Sequence, residues 1–325
     1  MQNKDLVLGI DTSNYKTSLA FTSANGAILM DSRKPLVVKQ GERGLRQSHA
    51  LFQHMENFPA MILDIFHQID KNRIGAISVS SRPRPIEGSY MPVFKAGVNY
   101  GSVLAASLGV PIFEFSHQEG HLEAVKHETS MSEEKEFLAY HLSGGTCELL
   151  YVKGNCFEII GGSRDISFGQ VLDRIGVSLN MTFPAGENLD MLATKSEEDY
   201  GEHGNLNMNK PLLKKIPIDG LYINLSGIET QCQREIIQNN HVEGLIYELF
   251  VKISECLCLL TEKAILETGC HKILFTGGVA ASTFIRNKIR SYFDCKPVKV
   301  EFGNPHMATD NAVGVSLLGG KLLWR

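Results

Sequence analysis

Long hydrophobic runs are missing from this chain of 325 residues: its apolar stretches are short and interrupted, the longest near Cys256 to Leu260. That is far below the roughly 20 apolar residues of a membrane-spanning helix, so no membrane association is expected. A C-x-x-C pair is also missing. The seven cysteines, Cys147, Cys156, Cys232, Cys256, Cys258, Cys270 and Cys295, are odd in number and scattered. This spacing excludes a zinc ribbon or a redox dithiol and predicts reduced, mostly buried thiols. Positive charge is not in excess either, with 32 Lys and Arg against 36 Asp and Glu for a net charge of −4. A protein whose whole surface grips nucleic acid is thereby excluded, and such a partner would need a local basic patch or a basic partner subunit. The start Met1-Gln2-Asn3-Lys4-Asp5 leads into a strand with no apolar signal segment, which predicts a cytoplasmic protein. What is present is 43% hydrophobic and 8% aromatic content, ordinary for packed cores, in a chain long enough for two domains.

Apolar runs at Leu6 to Ile10 and Thr17 to Phe21, then the turn Ala24-Asn25-Gly26-Ala27 before Ile28 to Met30, predict an opening β-meander. Helical spacing follows from Gln47 to Ile69, then a buried strand from Ile74 to Val79, a helix from Tyr100 to Leu108 and a strand from Pro111 to Phe115. The meander returns at Phe137 to Leu142, Glu148 to Val152 and Cys156 to Ile160. Downstream lie a long helix from Leu245 to Leu266, a strand from Lys272 to Phe275, a helix from Ala280 to Tyr292 and a terminal helix from Met307 to Leu323. Ser196 to Leu213 is polar and reads as a surface excursion or linker. The repeated meander in an α/β pattern predicts a duplicated actin-like, sugar-kinase-like ATPase fold, two lobes with a nucleotide cleft between them. Residues 1–115 form the expected N-terminal lobe, with the terminal helix 307–325 packing back on it, and residues 116–306 the C-terminal lobe.

His117-Gln118-Glu119-Gly120-His121 sets two imidazoles four residues apart, on one face of a helix, where both can reach one metal ion. With eleven histidines, chance yields such a pair on the order of one time in three, so the spacing gains weight only from a third ligand. Asp310, in Ala308-Thr309-Asp310-Asn311-Ala312, is the best candidate. Three turns have the composition of phosphate or nucleotide sites. Asp11-Thr12-Ser13-Asn14-Tyr15-Lys16-Thr17 offers hydroxyls to a phosphate and a carboxylate to its magnesium. Ser143-Gly144-Gly145-Thr146 lets the backbone approach a ligand without Cβ interference. Thr276-Gly277-Gly278-Val279-Ala280-Ala281-Ser282 runs from strand to helix, so helix N–H groups are expected to be free for an anion. Asp173, on a helix before Phe183-Pro184-Ala185-Gly186, is a candidate ribose ligand; the alternative is a solvated carboxylate paired with Arg174 or a neighbour.

In this order the motifs resemble those of the TsaD family, the tRNA threonylcarbamoyladenosine synthases once labelled O-sialoglycoprotein endopeptidases, or glycoproteases, and the resemblance runs nearly end to end. His117 to His121 resembles the family's H-x-E-G-H, Leu142-Ser143-Gly144-Gly145 its V-S-G-G, Leu172-Asp173-Arg174 its F-D-K, and Phe183 to Gly186 its Y-P-G-G. Leu225-Ser226-Gly227-Ile228 is similar to F-S-G-L, Gly277-Gly278-Val279-Ala280 to G-G-V-A/S, and Thr309-Asp310-Asn311 to T-D-N. The resemblance implies one iron or zinc ion on His117, His121 and Asp310. It further implies an adenine nucleotide (ATP, AMP or an acyl-adenylate such as threonylcarbamoyl-adenylate, with magnesium) lined by His141, Leu142, Ser143, Gly144, Gly145, Asp173, Gly186, Gly277, Gly278 and Ser282.

The pattern also departs from the family. E-T-S-C-D-E-T becomes Asp11 to Thr17 with Lys16 in place of an acid, the histidine of S-G-G-H-T is Thr146, the lysine of S-G-L-K-T is Glu229, and the asparagine of G-G-V-x-A-N is Ser282. G-P-G-L is replaced by Arg82-Pro83-Arg84-Pro85-Ile86-Glu87-Gly88. Metal ligands and glycines stay while polar positions change, the mark of a divergent paralogue, and Glu229 is expected to repel a neighbouring phosphate. Two functions follow: a metal-assisted transferase moving a threonylcarbamoyl or related carbamoyl group to tRNA adenosine or another acceptor, or a non-catalytic nucleotide-binding scaffold or regulatory subunit. Expected partners are the nucleotide or carbamoyl-adenylate, tRNA through partner subunits, and a second copy or a family paralogue in a dimer. A protease is a poor third reading, because no nucleophile and base form a recognisable arrangement and the zincin glutamate next to the first histidine is missing.

Overall fold

The computed structural model describes residues 4–13, 15–38, 45–154, 156–201, 211–238 and 241–324. The chain divides into two compact units, Met1–Glu128 with His306–Arg325, and Thr129–Pro305. In the first, strands β1 (Leu6–Asp11), β2 (Lys16–Ser23) and β3 (Ile28–Pro35) form an antiparallel meander. Helix α1 (Gln47–Phe66), β4 (Ile74–Arg82), α2 (Lys95–Leu108), β5 (Ile112–Ser116) and α3 (His117–His127) follow. β4 lies parallel to β1 and β5 parallel to β4, giving the order β3-β2-β1-β4-β5.

The second unit opens on its own antiparallel meander, β6 (Glu136–Leu142), β7 (Cys147–Lys153) and β8 (Cys156–Ser163). Helices α4 (Phe168–Ser178) and α5 (Gly186–Gly201), the short strands β9 (Ile218–Asp219) and β10 (Tyr222–Ile223), and helices α6 (Ser226–Ile237) and α7 (Val242–Thr268) come next. β11 (Lys272–Thr276), α8 (Thr283–Phe293) and β12 (Lys299–Phe302) complete the unit. β11 pairs parallel with β6, and β12 parallel with β11. The run β8-β7-β6-β11-β12 thus repeats the order of the first sheet, with β10 and β9 added beyond β8. The same meander and parallel additions occur twice, which is the predicted duplication.

Strand periodicity explains how each face of the first unit's sheet is covered. Leu6, Leu8 and Ile10 of β1 enter one core with Phe58, Met61, Ile62 and Ile65 of α1, so Val7 and Gly9 face the opposite way. There lies α9 (Val313–Leu323): a Cβ on Gly9 would stand 2.3 Å from the Ala312 carbonyl, and one on Gly319 would meet Ser78. The same helix crosses α3 at two glycines. A Cβ on Gly314 would come within 1.7 Å of the Gly120 carbonyl, and one on Gly120 within 2.8 Å of Val315. Only glycine allows this approach, and it brings the start of α9 against the histidine-bearing turns of α3. In the second unit α7 supplies Leu249, Phe250, Ile253, Leu257 and Leu260 to a core with Leu138, Tyr140 and Leu142 of β6.

Several boundaries differ from the sequence reading; α2 begins at Lys95 rather than Tyr100 and α8 at Thr283 rather than Ala280. The first unit extends to Glu128 rather than 115 because α3 packs on α9. The terminal helix starts at Val313 rather than Met307, since the Asn311 side chain accepts the Val313 and Gly314 N–H groups at 3.0 and 3.4 Å and so begins the helix there. The polar stretch read as a linker from Ser196 is still helical to Gly201, and its residues 202–210 lie outside the described residues. All seven cysteines are free thiols, five of them buried. No helix among the described residues is long and apolar enough to cross a membrane.

Candidate metal centre and nucleotide-binding turns

Ser116 caps α3 in a reciprocal box with Glu119: the Ser116 hydroxyl accepts the Glu119 N–H and the Glu119 carboxylate accepts the Ser116 N–H. His117 is therefore fixed as the first helical residue, with His121 one turn on and the two rings 4.2 Å apart at 80°. Asp310 Oδ1 stands 3.5 Å from His117 Nε2 and 3.3 Å from His121 Nε2. One donor atom from each of the three residues lies within 4.8 Å of the others. Bonds of about 2.0–2.2 Å to a shared ion set neighbouring ligand atoms roughly 3–3.6 Å apart, so the residues fit a transition metal.

Asp11 stands behind His117. Its Oδ2 is 2.9 Å from His117 Nδ1 and accepts the Ser80 hydroxyl, while Oδ1 accepts the Ser13 N–H at 2.9 Å and the Ser13 hydroxyl. A carboxylate on Nδ1 fixes the ring and leaves Nε2 as the metal-facing nitrogen. Burial alone would lower the His117 pKa, but the charge and hydrogen bond of Asp11, reinforced by Asp310, outweigh it and push it up to about 10. Burial, then the neighbouring His117 charge, hold His121 below its ordinary value. Asp310 and Asp11 are held below the usual carboxylate range: burial would raise both, and the imidazoles overcome it. Two carboxylates thus face one imidazolium and one neutral imidazole, a cluster with excess negative charge suited to a cation that replaces the His117 proton.

The magnesium role expected of Asp11 does not fit, because His117, Ser13 and Ser80 occupy both its oxygens. Thr12 is likewise turned inward, donating to the Val93 carbonyl at 3.2 Å and accepting the Gly97 N–H at 3.1 Å. Asn14, part of the same expected phosphate turn, lies outside the described residues. Nothing in the sequence marked the role Asp11 takes.

In the second unit His141 to Gly145 and Gly277 with Gly278 stand where β6 and β11 end side by side, while Asp173 and Gly186 lie on α4 and at the start of α5. Half-buried His141 pairs across the sheet with Thr276 and Glu148. Gly277 has φ +97° and its Cβ would lie 2.2 Å from the Leu142 carbonyl, so glycine is required there by the fold itself. Gly144, Gly145, Gly186, Gly227 and Gly278 are different. None has a positive φ, and a Cβ at any of them would meet nothing within 4 Å. Neither backbone angle nor packing demands glycine at these five, and the space beside each is open. Ser143 closes the first turn, its hydroxyl accepting the Thr146 N–H at 3.0 Å, and Gly169 of α4 packs on Gly144.

Two expectations, free N–H groups at the start of α8 and an Asp173–Arg174 pair, are corrected. The N–H groups at the start of α8 are already satisfied: Asp190 accepts those of Thr283 and Phe284 at 2.8 and 3.1 Å, and the Ser282 hydroxyl accepts that of Ile285 at 3.1 Å while donating to Asp190. Glu229, expected to repel a neighbouring phosphate, pairs with Arg174 at 3.3 Å, so Arg174 is not the partner of Asp173. Asp173 instead accepts the Ala185 N–H at 2.9 Å, tying α4 to the turn that precedes Gly186. Asp190 had no sequence signal, because an acid within a polar helix resembles any solvated face.

Two sheets with one connection order define a protein of the actin-like, sugar-kinase-like class, here with two histidines and an aspartate converging in its first unit. A family model described as TsaD, tRNA N6-adenosine threonylcarbamoyltransferase, matches residues 30–316, and the chain belongs to that family. It is 25% identical over 97% of its length to a probable bifunctional tRNA threonylcarbamoyladenosine biosynthesis protein of Methanocaldococcus jannaschii, of which it spans 55%. To a tRNA N6-adenosine threonylcarbamoyltransferase of Archaeoglobus fulgidus it is 22% identical, covering 97% of this chain and 90% of that one. The chain spans about half the length of the bifunctional relatives it matches. Among solved structures it is similar in fold to HypF of T. kodakarensis, with TM-score 0.62 and 14% identity over 98% of this chain and 48% of that one. Full-length HypF in a phosphate- and nucleotide-bound form gives 0.61 at 11% identity, covering 99% and 56%.

Proposed function

We propose that this protein is a cytoplasmic, metal-dependent threonylcarbamoyl transferase of the TsaD type, acting from threonylcarbamoyl-adenylate on an adenosine of tRNA, with tRNA brought by partner subunits. The convergence of His117, His121 and Asp310 in a chain of this family carries the reading. These residues hold iron or zinc, which when bound supplies a Lewis acid for the carbonyl of the transferred group. Asp11 keeps His117 turned to present Nε2, and Gly120 with Gly314 keeps the Asp310 loop beside both rings. The open glycines at 144, 145, 186 and 278 support binding of an adenine nucleotide, whose flat base and sugar gain from backbone approach.

The isolated chain is acidic overall, and tRNA affinity comes largely from neutralised phosphates. Incubation with threonylcarbamoyl-adenylate and unmodified tRNA, followed by mass spectrometry, tests the reading. The expected result is weak or no modification by the chain alone and modification with partner subunits, lost in His117→Ala. A scaffold or regulatory role is the second reading, favoured by Thr146 in place of the family histidine and by a Ser282 hydroxyl committed to Asp190 and the α8 cap. Adenylate binding without transfer under any condition would select it.

A further inference from the structure

Asp310 is the only one of the three cluster residues not carried on a helix. The segment from Gly303 to Ala312 contains no regular strand or helix, and a ligand on such a segment keeps its position only if side chains hold the backbone around it. Arg33, on β3, reaches it. Its Nη1 donates to the His306 carbonyl at 2.7 Å and to the Thr309 hydroxyl at 2.9 Å, and Nη2 lies 3.7 Å from Met307 Sδ. Asp31 on the same strand orients the guanidinium, accepting from Nε at 2.9 and 3.1 Å with its two oxygens and from Nη2 with one. The Arg33 side chain is only 9% exposed. From the other side Asn311 Nδ2 donates to the Met307 and Thr309 carbonyls at 3.0 and 2.8 Å.

We infer that Arg33 is a positioning residue for the metal centre, its guanidinium fixing the His306–Thr309 backbone so that Asp310 meets His117 and His121 in a defined place. The inference rests on the metal reading above. Five donors in one rigid plane are what the task needs, since the same group must hold a carboxylate along one edge and two loop oxygens along another. A lysine ammonium is a single point and reaches one of these sets at a time. Arg33 touches neither metal nor substrate, so its effect travels through the loop.

The test uses the full chain and cobalt(II) as the metal, read by equilibrium titration and by the visible absorption of the bound ion, at a temperature well below the unfolding midpoint of each variant. In Arg33→Ala the dissociation constant should rise about tenfold or more, the scale seen when outer support of a metal ligand is removed, and the absorption band should shift. Arg33→Lys should fall between wild type and Arg33→Ala. If Arg33→Ala does not fold, Arg33→Lys and Asp31→Asn carry the same comparison. A role confined to stability would lower the unfolding midpoint yet leave the dissociation constant and the band of the folded protein at wild-type values, and that result overturns the inference. Wild type that binds cobalt in a His117-dependent way, with Arg33→Ala indistinguishable from it, would overturn the Arg33 role alone. Wild type that binds no cobalt would overturn the metal reading and the inference together.

Discussion

Asp11 shows how a single residue can serve a site without touching its ligand. It is 1% exposed and receives four hydrogen bonds, two from Ser13 and one each from Ser80 and His117. Replacing it by Asn keeps the shape and removes the charge that orients His117. Asp11→Asn is expected to weaken zinc binding by about 10–100-fold, measured by titration against a chelating indicator. Unchanged affinity would mean that His117 is oriented by its helix alone. The convergence of His117, His121 and Asp310 was legible in the sequence because two histidines at helical spacing and one distant aspartate fall in motif positions. Asp11 was not, because a carboxylate at the end of a strand looks the same whether it faces a cation, a histidine or water.

At the scale of elements, neighbouring glycines separate structural from ligand-facing demands. Gly277→Ala places a side chain at φ +97° and 2.2 Å from the Leu142 carbonyl. Backbone strain alone costs about 1–3 kcal/mol, and the clash adds to it, so thermal unfolding should fall clearly. Gly278 has φ −61° with open space beyond, so Gly278→Ala should leave the unfolding midpoint unchanged while weakening ATP or AMP binding by calorimetry. Equal nucleotide affinity in this variant would remove the glycine turn from the site. The start of α6 gives a pH signature. Asp165 accepts the N–H groups of Leu225 and Ser226 at 2.8 and 2.9 Å. Burial would raise its pKa, but these bonds outweigh it and hold the carboxyl well below the usual range. A lowered folded pKa contributes stability that is fully present above the unfolded value of about 3.9 and is lost as pH falls toward the folded one. The difference in unfolding midpoint between wild type and Asp165→Asn should therefore be largest near neutral pH and shrink below about pH 4; a difference independent of pH would refute the charged cap.

For the whole molecule, the sequence exposed the duplication because meanders advertise themselves through alternating apolar runs and short turns. It hid the unit boundary because that depends on packing. The short helix at His117–His127 follows β5 directly, and only the Gly120–Gly314 approach reveals that it belongs with the terminal helix. The α8 cap was hidden for the same reason, since Asp190 lies 92 residues from Ser282. The central claim is that this member of the TsaD family retains a metal centre despite changed polar positions elsewhere. Elemental analysis of purified wild type, His117→Ala, His121→Ala and Asp310→Ala tests it most directly. The account predicts about one iron or zinc per chain in the wild type, with little in each variant; equal metal content in all four proteins would contradict it.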